Sequence, residues 1–189
     1  MKTLSFLLAL VLVASCGVQS IPQQNNQVEA SWAEVQNQYQ RRSDLIPNLV
    51  NTVKGYAKHE SETLEKVMAA RASATQIKID PKDLTDENLR KFQAAQDQLK
   101  GALSRLLAVA ENYPNLKADQ NFRDLQVQLE GTENRITVAR NNYIEDVKGF
   151  NNLIGVFPTS ITNSFFFHFP KKAQFTAAEG SDKVPEVNF

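Results

Sequence analysis

The sequence predicts an all-α chain, an elongated antiparallel bundle of three long helices with a short fourth, and three observations carry that prediction. Apolar residues recur in alternating steps of three and four along three long segments, the period of a helix face that meets other helices. Seven glycines and seven prolines in 189 residues are too few for a turn-rich sheet protein. Val, Ile and Thr do not alternate with polar residues over any long stretch, so strands are not expected. The length suits one domain. Lys plus Arg equal Asp plus Glu at 21 each, so no global basic field recruits nucleic acid.

Residues 1–15 read as a signal peptide. Lys2 supplies a positive start, Leu4 to Val13 an apolar run, and Val13-Ala14-Ser15 small residues directly before the only cysteine, Cys16. A run of about ten residues is too short to cross a hydrocarbon core of about 30 Å as a helix. The Val-Ala-Ser-Cys order resembles the bacterial lipobox, in which the cysteine becomes the lipidated first residue of the mature chain. Gly17 follows it, not the Asp that by the same resemblance retains lipoproteins in an inner membrane, so an outer membrane is favoured where there is one. With a single cysteine no intramolecular disulfide can form. Residues 16–27 are polar and lack a stripe, which predicts a flexible tether.

The bundle is expected over residues 28–169. Its first helix carries Val28, Trp32, Val35, Tyr39, Ile46, Leu49, Val53, Ala57, Leu64 and Val67 up to Arg71, in phase if Arg42 and Glu60 fill two gaps. Pro47 interrupts it. A proline inside a helix leaves the carbonyl four residues back, that of Ser43, without its donor. It either kinks one rod or lies in the first turn of a helix capped by Ser43-Asp44; the unbroken phase of the stripe favours the kink. Ile77 to Lys82, with Pro81, predicts a turn. The second helix, capped by Thr85 or Asp86, carries Leu89, Phe92, Ala95, Leu99, Leu103, Leu106 and Ala110. The third, over about residues 118–155, carries Phe122, Leu125, Leu129, Thr132, Ile136, Ala139, Tyr143, Val147, Phe150 and Ile154. A short amphipathic helix is expected over residues 159–167 and an extended, mobile tail over 170–189.

No catalytic constellation emerges. His59-Glu60-x-Glu62 offers only one pair at helical spacing, and the other histidine, His168, is remote, so a solvated helix face is the expectation and neither metal nor cofactor is assigned. No Gly-x-Ser-x-Gly turn, glycine-rich phosphate loop or zinc signature occurs. The chain reads as a non-enzyme.

Two groups stand out instead. Asn48, Asn51, Asn134, Asn142, Asn151 and Asn152, with Arg135 and Arg140, flank the stripes where Ala or Lys would suit a solvated helix better. They are expected to pair across helices and hold the register of long rods; the rival reading is a polar groove for a peptide or glycan. Phe165, Phe166, Phe167 and Phe169 beside Lys171 and Lys172 predict either packing of the short helix over the bundle end or contact with a membrane interface or partner.

Three blocks, YQRRSDLIPNLVNTVKGYAKHESETLEKVMAARA, ENYPNLKADQNFRDLQVQLEGTENRITVARNNYIEDVKGFNNLIGVFP and Phe175 to Phe189, resemble the LemA family, and the likeness covers about Trp32 to Phe189. It implies an elongated helical bundle attached to a bacterial membrane at its N-terminus, and it brings no catalytic activity. Two features depart from the family pattern: a lipobox stands where a transmembrane helix is usual, and Ser164 to Phe169 replaces a glycine-containing segment. The expectation is a lipid-anchored scaffold or adaptor of the cell envelope with protein partners. A loose family analogy makes a membrane protease one such partner and envelope protein quality control a process to examine. The alternative is a binding module for a peptide or glycan.

Overall fold

The structure, a computed structural model, describes the backbone of residues 2–176 and the side chains of residues 19–176. Its helices are α1 (Lys2–Tyr56), α2 (Ser61–Gln76), α3 (Asp86–Ala110), α4 (Pro114–Ala118), α5 (Gln120–Gly155) and α6 (Thr159–Thr162), with a 3₁₀ turn at Pro81–Asp83 and a π-helical turn at Asn163–Phe167. No strand occurs among the described residues, so the chain is all-α. The Cys16 side chain, the side chains of the expected signal peptide and tail residues 177–189 lie outside the described residues.

α1 and α5 form the long antiparallel pair. Gln27 donates to Asp146 at 3.2 Å, Arg42 to Glu133 at 2.6 Å and Tyr56 to Asp119 at 2.9 Å, which fixes one register along their shared length. α2 and α3 complete the other half of the bundle. Caps set the starts: the Thr85 hydroxyl accepts from the Asn88 amide at 3.2 Å, and the Asp119 carboxylate from the Phe122 amide at 2.9 Å.

The arrangement differs from three long helices plus one short one in three places. The expected tether is helix: α1 runs through residues 19–27, Ile21 is fully buried and Asn25 is buried beside it. Ile21 continues the face of Val28, Trp32 and Val35, but its Gln and Asn neighbours hid the period. α5 extends far enough to cover this turn and supplies the burial that composition did not suggest.

The first rod does not reach Arg71. α1 ends at Tyr56, level with the start of α5, and a continuation would carry its stripe past any partner. Folding back instead lets Leu64, Val67, Ala70 and Ala74 of α2 bury against the Leu99, Leu103 and Leu106 face of α3. The turn falls at Glu60, one of the two polar positions that filled gaps in the expected stripe, and Tyr113 donates to the Glu60 carboxylate at 3.1 Å. His59 is exposed in this turn rather than on a helix face.

Pro47 lies inside an unbroken α1. The Ser43 carbonyl that it leaves free accepts from Arg71 Nε of α2 at 2.9 Å, so the fold-back satisfies the group the proline orphaned.

The tail is not free up to Thr176. Ala173 and Phe175 are buried, the Ala173 amide approaches the Leu84 carbonyl at 3.4 Å, and Gln93 donates to the Thr176 carbonyl at 3.2 Å. α2 stops at Gln76, and the tail fills the slot between the first half of α3 and the last half of α5. Its reversal is made by Asn163, whose side-chain amide pairs with both backbone groups of Phe169 at 3.0 Å, and by His168 in a left-handed conformation, φ 57°.

Candidate functional site

Two apolar clusters are stacked along the bundle, and one polar layer lies between them. The lower cluster gathers Trp32, Tyr39, Phe92, Ile136 and Tyr143; the upper begins at Ile46, Leu99 and Leu129. Between them Arg42 is 2% exposed. Its Nη1 donates to Glu133 Oε1 at 2.6 Å, and its Nη2 to the Gln96 side-chain oxygen at 2.7 Å and the Gln96 carbonyl at 3.2 Å. Gln96 in turn donates to the Ala74 carbonyl at 3.4 Å. The guanidinium also stands 5.0 Å from the centre of the Tyr39 ring. One side chain of α1 thus ties α3, α5 and, through Gln96, α2 at a single height. A heptad slip of any of these rods would bury the charge against apolar neighbours, which is how buried polar groups specify register.

The register residues read from the sequence are therefore corrected. Asn48, Asn51, Asn134 and Asn142 are exposed and make no hydrogen bond to another helix, as do Arg135 and Asn152. Asn151 and Arg140 do link elements: the Asn151 amide pairs with both backbone groups of Lys172 in the tail, at 2.9 and 2.8 Å, while Arg140 of α5 lies 4.3 Å above the tail's Phe175 ring and also acts on the Tyr39 phenol of α1, the cross-helix contact expected of it. Asparagine composition misled because a helix surface tolerates Asn at little cost. The missed signal was a charge in stripe phase, Arg42 between Tyr39 and Ile46.

Substitution separates the two kinds of asparagine. Asn134→Ala and Asn142→Ala should leave the urea midpoint unchanged or slightly raised, because Ala is the better helix former by up to about 0.7 kcal/mol. Asn151→Ala should cost about 1–3 kcal/mol, having left two tail backbone groups without partners. Equal losses at all three positions would contradict this placement.

Above the tail sits an aromatic hub. Trp32 is fully buried, donates from its indole to the Ile79 carbonyl at 3.1 Å, and has ring centroids of Phe92 and Tyr143 at 5.4 Å and Phe175 at 6.1 Å. The Tyr143 hydroxyl donates to the Ala173 carbonyl at 2.8 Å. Burial pushes the Tyr143 phenol far above the ordinary 10.0, with Asp86 adding to it, and burial raises Tyr39 against the pull of Arg140 and Arg42. A raised folded value means stability is complete below pH 10 and declines as the unfolded chain ionises while the native one does not. The urea midpoint should fall above pH 10, and Tyr143→Phe should flatten that fall; a midpoint flat to pH 11.5 would refute the assignment.

A polar cleft of about 720 Å³ opens between the lower part of α1, the start of α3 and the tail. Asn25, Glu29, Lys82, Asp86, Lys171 and Lys172 line it. Asn25 donates to Glu29 at 2.8 Å while its own carbonyl oxygen is buried without a partner. Partial burial lowers the Lys172 ammonium below its usual range, with Glu29 opposing.

The phenylalanine cluster divides. Phe167 and Phe169 stack at 5.8 Å, and Phe169 meets Phe150 at 6.0 Å, so these two pack on the bundle, with Lys172 5.6 Å from the Phe150 ring. Phe165 and Phe166 are 75% and 72% exposed, and Lys171 is exposed. Among the described residues no helix is long and apolar enough to cross a membrane.

A family model described as the LemA family matches residues 31–189. The chain belongs to the LemA family. A curated relative, Protein LemA of Metamycoplasma hominis, is 24% identical over 135 residues, 71% of this chain. The chain spans 58% of that relative's length. The match to the LemA model takes in the Arg42 layer, the aromatic hub and the tail, and it begins just before Trp32, past residues 19–27 that the fold also incorporates.

Proposed function

We propose that this LemA family member is a lipid-anchored, non-enzymatic scaffold of the bacterial envelope, held by acyl chains on Cys16 and offering its helical surface to protein partners. The observation that carries the reading is the continuity of α1. One helix leads from the Val-Ala-Ser-Cys segment through the whole height of the bundle with no linker between. From residue 19 to Tyr56 it extends about 57 Å at 1.5 Å per residue. An anchor at Cys16 would therefore hold a long strut upright, carrying the α2–α3 half and the α4 tip away from the bilayer toward envelope proteins. Membrane proteases are the partner class we infer, in quality control of envelope proteins.

Crosslinking with mass spectrometry in intact cells tests this. Reproducible crosslinks from lysines of α2 and α3 to the same envelope proteins support the scaffold. The polar cleft favours a second reading, a module that holds a peptide or glycan beside Asn25 and Lys172. A small ligand copurifying with the native protein, with no protein crosslinks, would replace the first reading by the second.

A further inference from the structure

The base of the bundle carries apolar side chains that the fold itself leaves uncovered. Nine large apolar residues are exposed among the described ones, and five of them, Val156, Phe157, Ile161, Phe165 and Phe166, fall within one short segment after α5. At 51–75% exposure they form a patch of the kind that marks an interaction site. The segment is not a frayed end. The Thr159 hydroxyl donates to the Leu153 and Val156 carbonyls, Thr162 and Asn163 are buried, and the Asn163–Phe169 pair closes the loop. The backbone is held so that these side chains point out.

We propose that this patch seats the bundle directly on the lipid surface, its aromatic and aliphatic side chains entering the boundary between headgroups and acyl chains. The proposal rests on the anchoring reading above and specifies how the anchored bundle meets the bilayer. Position is the first argument. α5 descends antiparallel to α1, with Gln27 on Asp146 and Gln24 beside Gly149, so the same register puts Val156 level with the Cys16–Gly17 step. α6 packs on both α1 and α5. Acyl chains on Cys16 would leave the protein beside the patch, and with no tether between them the bilayer is the surface that the patch meets. Charge is the second argument. From Val147 to Ala178 the sequence holds Lys148, Lys171 and Lys172 and no Asp or Glu; Lys148 pairs with Glu145 at 3.8 Å and Lys172 faces Glu29, which leaves the exposed Lys171 as the segment's unpaired cation among the described residues, a charge that suits anionic headgroups. Exposed phenylalanines with nearby lysines are what an interfacial segment requires.

The test uses the full chain, purified from membranes and reconstituted in vesicles of phosphatidylethanolamine and phosphatidylglycerol carrying doxyl-labelled lipid. Phe166→Trp adds one indole at the patch, and the fully buried Trp32, about 22 Å up α1 at 1.5 Å per residue, serves as the internal control. The added emission should be blue-shifted and lose about half its intensity to doxyl lipid, as for a side chain within the interface, while wild-type emission stays unchanged. Red-shifted, unquenched added emission from a membrane-bound chain would overturn the seating. So would efficient Phe166→Cys disulfide crosslinking between copies, which would assign the patch to a second copy. Mass spectrometry of the mature N-terminus reads the anchor separately. Acylated Cys16 with an unquenched indole removes the seating alone, whereas quenching in a chain without acyl groups removes the anchoring alone.

Discussion

Arg42→Met should lower the unfolding free energy by about 3–5 kcal/mol, the range for breaking a buried ion pair by removing one partner. Little of that comes from the attraction between Arg42 and Glu133, since Glu133 is 34% exposed and partly screened. Most comes from what is left behind: the Gln96 side-chain oxygen and backbone carbonyl lose their donor in the core. Urea denaturation at constant m-value measures it. The companion variant removes all three groups, Arg42→Met with Gln96→Leu and Glu133→Leu, and should come close to wild-type stability or exceed it. Its cost should appear in uniqueness. Cysteine pairs engineered across α1 and α5 should crosslink in the native register alone in the wild type and in shifted registers as well in the triple variant. A triple variant that is both as unstable as Arg42→Met and fixed in register would remove the polar layer's role.

The second large effect is expected at Trp32. Trp32→Ala empties a site walled by α1, α3, α5 and the tail, and an aromatic-to-alanine change in such a core costs about 3–5 kcal/mol. The Ile79 carbonyl retains a partner, because Gln36 also donates to it at 3.1 Å, so the loss is chiefly one of packing. The tail should respond first. Phe175 would lose one of its walls, and hydrogen exchange over residues 171–176 should rise more than exchange in the upper cluster around Leu99 and Leu106. Trp32→Phe, which keeps most of the apolar volume, should recover most of the stability. A loss below about 1 kcal/mol on Trp32→Ala, the level of an exposed position, would contradict the hub.

Much of the fold was legible because helix–helix contact writes itself into sequence as spacing. The stripe from Leu89 to Ala110 predicted the buried face of α3, and that from Phe122 to Ile154 the face of α5, nearly residue for residue. Those helices bury one face along their whole length, so local period and tertiary environment agree. The failures came where neighbours end. Whether a stripe continues as one rod or folds back depends on whether a partner helix is still alongside. That is why the stripe across Glu60 looked unbroken and the chain turned there. Ile21 and Phe175 are single apolar residues among polar ones; their burial is decided by other segments, as when Phe175 packs on Trp32 of α1 and on Tyr143 and Arg140 of α5. The candidate site followed the same rule. Phe165 and Phe169 are alike in composition, and the Asn163 turn alone puts one against Phe150 and leaves the other outside.

By itself the sequence determined the all-α class, the helix faces, the likeness to the LemA family and the single cysteine after an apolar run. Each rests on the residue order or on a period within one helix. Only the tertiary structure decided that α1 turns at Tyr56, that Arg42 rather than the asparagines sets the register, that the tail completes the core, and that five apolar residues remain outside at the base. Those outcomes depend on which rods stand side by side and at what height. That height is set by summed packing and by the burial of one charge.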